Sequence, residues 1–209
     1  MRVVDRIWFF SFVFAVAPIF RLLYPTRVDG RPPVPGRRPI LLAPNHTSFL
    51  DPVVLQASIP HRITYLMADI YYNLPLLGWF CRRMGCIPLS SQGSQLAAIR
   101  QGIEALRTRS VVAIFPEGTR SYDGVLGEGF PGVIALASRT DALVVPVALI
   151  GPHRAFPRGA RFPRLVPLHV RFGAPIDFSR EPAMSSRERL RMVMERIAAL
   201  IEGDGPLSP

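Results

Sequence analysis

The sequence predicts an α/β fold, a mixed sheet flanked by helices. Two observations point to it. Short apolar runs of strand length alternate with segments whose apolar residues recur at helical spacing. The chain also has 209 residues, which suits one domain with a single substantial core.

Taken in order, Pro39 to Ala43 is a short apolar run bounded by prolines, as in a buried strand. A polar loop, Pro44 to Ser48, follows. Asp51-Pro52 then reads as a helix start, with Asp at the N-cap and Pro in the first turn. Ile63 to Ala68 is a second candidate strand. Leu74 to Met84 mixes aromatic and apolar residues with Arg82 and Arg83. Leu96, Ile99, Ile103 and Leu106 fall at helical spacing. Ser110 to Phe115 is strand-like and Pro131 to Ser138 helical. Ala142 to Ile150 is strand-like, with Pro146 requiring an edge position or a bulge. Pro167 to Phe172 alternates and can close the sheet. In the last helix, Ser185 and Glu188 form a capping box, and Leu190, Val193, Met194, Ile197 and Ile201 line one face.

The N-terminus is read differently. Ile7 to Phe20 is apolar apart from Ser11 and Pro18, flanked by Arg2, Arg6 and Arg21. As a helix it reaches roughly 21 Å, short of the ~30 Å hydrocarbon core of a bilayer. It is read as an interfacial or re-entrant anchor, in preference to a core helix or to a cleaved signal with Pro18 directly after the cut. Residues 1–24 are therefore expected to be membrane-associated. Residues 25–38, rich in Pro, Gly and Arg, form a linker, and 39–209 the globular domain.

Composition narrows the function. Apolar residues make up 49% of the chain and mean hydropathy is +0.24, so part of the apolar surface is expected to meet lipid. The net charge is +10 and every one of the 25 basic residues is Arg. That balance favours anionic partners such as phosphate esters or acidic lipid. A nucleic-acid binder is set aside, because the arginines are scattered and no recognition motif is present. Cys81 and Cys86 have neither redox nor zinc spacing, and no metal is expected.

Two segments carry candidate chemistry. In Asn45-His46-Thr47-Ser48-Phe49-Leu50-Asp51, His46 sits in the loop after a strand and Asp51 opens the next helix. A carboxylate on one imidazole nitrogen fixes the tautomer and leaves the other free as a base. The plain alternative is an N-cap beside a loop histidine. In Phe115-Pro116-Glu117-Gly118-Thr119-Arg120-Ser121, also after a strand, Gly118 allows close backbone approach and Arg120 offers a fork for phosphate. Glu117 either orients Arg120 or bonds a substrate hydroxyl. A polar loop with a local Glu-Arg pair is the alternative.

These segments resemble the blocks of the phospholipid-glycerol acyltransferases of the lysophospholipid, or 1-acylglycerol-3-phosphate, acyltransferase type. Asn45 to Pro52 is similar to the N-H-x4-D block, and Phe115 to Ser121 to the F-P-E-G-T-R-S block. Gly85-Cys86-Ile87-Pro88 resembles the start of the second block, and Val144 to Ala148 the fourth. The resemblance covers Ile40 to Gly151, in family order. It implies a glycerol-3-phosphate acyltransferase-like fold. It also implies acyl transfer from acyl-CoA or acyl carrier protein, as donor substrate and not cofactor, to a lysoglycerolipid hydroxyl. The favoured acceptor is 1-acyl-sn-glycerol 3-phosphate, and the expected place of action is the cytoplasmic face of a membrane. His46 is implied as general base and Asp51 as its partner. Asn45, Glu117, Gly118, Thr119 and Arg120 are implied on the acceptor, and Pro146 near the acyl chain. A non-phosphorylated acceptor, a lipid amine, or a non-catalytic membrane-binding relative is the alternative.

Two positions depart from the family pattern: Ser91 stands in place of an Arg, and no Lys follows Phe130-Pro131-Gly132. Arg82, Arg83 and Arg100 are candidates to replace them. Gly127, Gly129 and Gly132 match a dinucleotide fingerprint in the wrong context and are read as a flexible loop. His61, His153 and His169 are read as structural. Arg154, Arg158, Arg161 and Arg164, interleaved with Phe156 and Phe162, form a basic loop for lipid headgroups or CoA phosphates.

Overall fold

The computed structural model describes residues 17–208, apart from 35, 37, 90–94 and 109–110. Its strands are β1 (Thr26–Asp29), β2 (Ile40–Pro44), β3 (Thr64–Ala68), β4 (Ile87–Leu89), β5 (Val111–Ala113), β6 (Leu143–Ile150) and β7 (Leu168–Phe172). Its helices are α1 (Ala17–Leu23), α2 (Asp51–Ser58), α3 (Asp69–Tyr72), α4 (Pro75–Met84), α5 (Gln95–Thr108), α6 (Gly132–Ala137), α7 (Pro152–Ala155) and α8 (Ser186–Glu202).

The strands form one sheet in the order β1-β7-β6-β2-β5-β3-β4. Every neighbouring pair is parallel except β6 with β7. β2 lies at the centre and is buried along its whole length, as its unbroken apolar run requires. One face of the sheet packs against α1 and α2 through Phe20, Val54 and Leu55. The other packs against α5, α6 and α8 through Leu106, Ile134, Val193 and Ile197. The capping box of α8 forms as its sequence predicts, Ser185 and Glu188 each bonding the other's backbone N–H.

β3 pairs with β5 only through Thr64 and Tyr65, then turns to pair with β4 from Leu66 to Ala68. Past that point the two strands part, which opens the sheet between them. α4 ends in a Schellman motif: Gly85 adopts φ 69°, Gly85 N–H bonds Arg82 O, and Cys86 N–H bonds Cys81 O. This is how the Cys81–Cys86 spacing is used, and both thiols are free.

Two expectations are made more specific and two are corrected. The stretch read as a linker contains β1, an edge strand held to β7 by parallel pairing. Asp29 fastens it further, bonding His169 at 2.8 Å with Arg171 at 3.7 Å from the same carboxylate oxygen. Arg38, at the far end of the same stretch, grips Asp177 with both Nη atoms. Asp51 is the first residue of α2, with Leu50 at the cap position. Pro146 is not at an edge: β6 lies between β2 and β7. Its carbonyl accepts from Gly173 N–H, so its missing N–H faces the same side, where pairing shifts from Val147–Phe172 to Val144–Ile176. One extra residue on the partner segment makes this a bulge, the other placement the proline allows. The glycine-rich loop is pinned, as described below. The N-terminal anchor and Ser91 fall mostly or wholly outside the described residues. Among the described residues no helix is long and apolar enough to cross a membrane.

Candidate active site

The loops that follow β2 and β5 leave the carboxyl ends of neighbouring parallel strands, where α/β sheets place their ligands. The first carries His46 and the second Glu117 to Arg120. Ser121 N–H bonds His46 O at 2.8 Å and ties the two loops directly.

Asp51 is fully buried, and one of its oxygens organises the first loop. Oδ2 accepts from Thr47 N–H at 2.6 Å and Ser48 N–H at 2.7 Å, and lies 2.8 Å from His46 Nδ1. With the carboxylate ionised, Nδ1 carries the proton and the Nε2 lone pair is free. The Phe115 ring stacks on the imidazole at a centroid distance of 3.9 Å and fixes its plane. Asp51 Oδ1 is buried with no protein partner among the described residues.

Both carboxylate oxygens of Glu117 bond main-chain groups. Its Oε1 accepts His46 N–H at 2.7 Å and its Oε2 accepts Gly127 N–H at 2.9 Å. It is only 4% exposed, and burial raises its carboxyl above the ordinary value against the pull of those two bonds. Glu117 therefore clamps the histidine loop to the glycine-rich loop. Asn45 is likewise occupied: Nδ2 donates to Leu149 O at 3.1 Å and Oδ1 accepts Leu149 N–H at 2.6 Å. It extends the β2–β6 ladder by side chain and is 2% exposed. Pro146 packs against Gly173 and is not among the cleft residues.

His46, Gly118, Thr119 and Arg120 do meet, at a cleft of about 820 Å³. Gly118 adopts φ 64°, which carries the chain past the Phe130 ring. The Arg120 guanidinium lies 3.5 Å over the Phe49 ring. From this mouth the cleft runs inward through the opened sheet. Tyr65 and Cys86 line it on one side, Leu66, Ile99 and Leu136 on the other. It is predominantly apolar, as a binding site for a hydrocarbon chain needs to be.

The sequence did not single out Phe49, Phe115 or Gly127 as site residues, since their contacts depend on tertiary approach. Arg82 and Arg83 sit on Tyr72 and Trp79 away from the cleft, and Arg100 is exposed on α5. Among the described residues no three His, Cys, Asp or Glu side chains stand close enough to hold a metal ion.

These features define a class: an α/β domain whose parallel strands deliver a His–Asp pair and an arginine to one apolar cleft. Residues 25–150 match the protein family described as Acyltransferase, and the chain belongs to that family. It is 32% identical over 140 residues to a chloroplastic 1-acyl-sn-glycerol-3-phosphate acyltransferase of Arabidopsis thaliana, a match covering 66% of this chain and 39% of that one. It is 23% identical over 184 residues to the 1-acyl-sn-glycerol-3-phosphate acyltransferase of Bacillus subtilis, covering 88% of this chain and 89% of the relative. The chain spans about 40% of the length of the first plant relatives it matches. The fold is similar to the crystal structure of the 1-acyl-sn-glycerophosphate acyltransferase of Thermotoga maritima, with a TM-score of 0.71 at 22% identity, over 95% of this chain and 76% of that one.

Proposed function

We propose that this protein transfers a fatty acyl group from an acyl thioester to the free hydroxyl of a lysoglycerolipid, with 1-acyl-sn-glycerol 3-phosphate as the favoured acceptor. One observation carries the reading: an imidazole held at Nδ1 by a buried carboxylate, at the mouth of an apolar cleft that also holds an arginine. The names of the similar proteins support the acceptor.

In this reading His46 Nε2 takes the proton of the acceptor hydroxyl as its oxygen attacks the thioester carbonyl. Asp51 balances the charge on the imidazolium. The tetrahedral intermediate then collapses, the C–S bond breaks, and Nε2 returns the proton to the departing thiolate. No acyl-enzyme forms, because the acceptor is itself the nucleophile. Arg120 binds the acceptor's phosphate, and the deep cleft holds an acyl chain. Acyl-CoA and acyl carrier protein are both suitable donors.

The reaction is set at the cytoplasmic face of a membrane. Phe49, Ile70 and Phe130 line the cleft and are 44%, 66% and 59% exposed, and Ile19 and Leu22 on α1 are 60% and 82% exposed. Apolar groups exposed at this density suit a lipid surface.

The test is acyl transfer by detergent-purified protein. Labelled acyl-CoA or acyl carrier protein is offered with lysophosphatidate, glycerol 3-phosphate, other lysophospholipids and lipid amines, beside His46→Ala. Product from lysophosphatidate that is absent with the variant is the expected result. Product from another acceptor alone moves the substrate. No product from any pairing, in folded and membrane-bound protein, refutes the reading.

A further inference from the structure

A phosphate monoester carries a charge of about −1.5 to −2 near neutral pH. Arg120 alone meets half of that. The cleft mouth holds a second guanidinium, from a loop far along the chain: Arg158 lines the same cleft as His46 and Arg120.

Arg158 resembles Arg120 in its setting. Each guanidinium sits over an aromatic ring, Arg120 over Phe49 at 3.5 Å and Arg158 over Tyr122 at 3.8 Å, and Arg120 also donates to the Tyr71 hydroxyl at 3.4 Å. Stacking on a ring occupies the face of the guanidinium and leaves its N–H edge free to bond. Neither has a carboxylate partner among the described residues, although Arg27, Arg38, Arg171, Arg180 and Arg191 all do.

Arg158 is also held in place. Ala160 N–H bonds Pro157 O at 3.1 Å, and Gly159 adopts φ 86°. Arg158 thus occupies the second position of a tight turn whose third position needs a positive φ, as a type II turn does. The segment bearing that turn is fastened to the catalytic loop, since Ser48 Oγ donates to Phe156 O at 2.9 Å and the Phe156 and Phe49 rings are 6.4 Å apart. The ring under Arg158 belongs to the loop that Ser121 ties to His46. Both of its supports therefore lead back to the residue expected to act as base.

We infer that Arg158 is the second phosphate-binding residue of the site and closes with Arg120 on the phosphate of the acceptor. This rests on the acyl-transfer reading above. The same guanidinium chemistry would suit a phosphate of CoA, so the test separates the two sources.

The experiment measures acceptor and donor dependence separately for wild type, Arg158→Gln and Arg158→Lys, with lysophosphatidate and acyl-CoA or whichever donor the wild type uses. Inhibition by glycerol 3-phosphate is measured beside them, and urea unfolding checks the fold. If the wild type transfers no acyl group, the earlier reading has failed independently of this one. Given an active wild type, Arg158→Gln is expected to raise the acceptor KM roughly 10- to 100-fold, the range lost with a charge-assisted hydrogen bond. It should weaken glycerol 3-phosphate in parallel and leave the donor KM unchanged. Arg158→Lys, which keeps the charge without the fork, falls between. Gly159→Ala, which keeps the arginine but strains its turn, is expected to raise the acceptor KM as well. An unchanged acceptor KM in Arg158→Gln, or a change confined to the donor KM, overturns the inference.

Discussion

Replacing Asp51 by Asn separates charge from shape at the centre of the site. One oxygen of Asp51 receives His46 Nδ1 and the N–H groups of Thr47 and Ser48, at 2.6 to 2.8 Å. Asn has the same outline, and its carbonyl oxygen can occupy the Oδ2 position, so all three contacts persist as neutral bonds. A bond to a charged group contributes about 1.5–3 kcal/mol, against about 0.5–1.5 for a neutral one. The three therefore lose on the order of 3 kcal/mol together. Removing a fully buried charge, whose desolvation costs several kcal/mol, offsets much of that loss. The expected net change in stability is within about 2 kcal/mol. Turnover responds differently, because a neutral amide cannot balance the imidazolium. A fall of about 10³- to 10⁴-fold in kcat is expected, the scale of a His deprived of its carboxylate. The assay is steady-state acyl transfer, with urea unfolding on the same preparation. Activity within about tenfold of wild type, at an unchanged unfolding midpoint, would show that Asp51 only shapes the loop and would refute its electrostatic role.

Glu117→Gln tests the clamp through pH. Because burial raises the Glu117 carboxyl, the native protein keeps a proton that the unfolded chain loses above the ordinary value of 4.5. Wild-type stability from this group is therefore fully present below that value and declines as pH rises through the raised native one. The stability difference, wild type minus variant, should fall between pH 4.5 and the raised value in urea unfolding series. A difference that grows with pH contradicts the assignment. Phe172→Ala empties a fully buried position at the end of β7 and should destabilise the fold by about 3–5 kcal/mol in the same assay. A loss below about 1 kcal/mol would be inconsistent with its place in the core.

Elements with local signatures were legible in the sequence. The box of Ser185 and Glu188 declares the start of α8, and the run from Ile40 to Ala43 declares a strand buried on both faces. β1 has no such signature: only its ends are partly buried, and its partner His169 lies 140 residues away. The candidate site divides in the same way. His46, Asp51 and Arg120 could be read because reactive groups sit at short, telling spacings. The tasks of Asn45 and Glu117 could not, because each bonds main-chain groups 104 and 71 residues distant and no local pattern encodes such partners. Pro146 was legible as an interruption of a strand, but its place in the middle of the sheet was not.

The clamp made by Glu117 has a practical consequence. Glu117 holds residue 46 by its main-chain N–H and reads nothing of the side chain there. Asp51 keeps two of its three contacts, to Thr47 and Ser48, when the imidazole is gone. The frame and the reagent are thus specified by different atoms. His46→Ala should leave the cleft assembled and silent, able to hold donor and acceptor together without consuming them. Such a protein is a trap for its own substrates, and extracting what it retains from a cell lysate would identify the acyl chain and the headgroup directly.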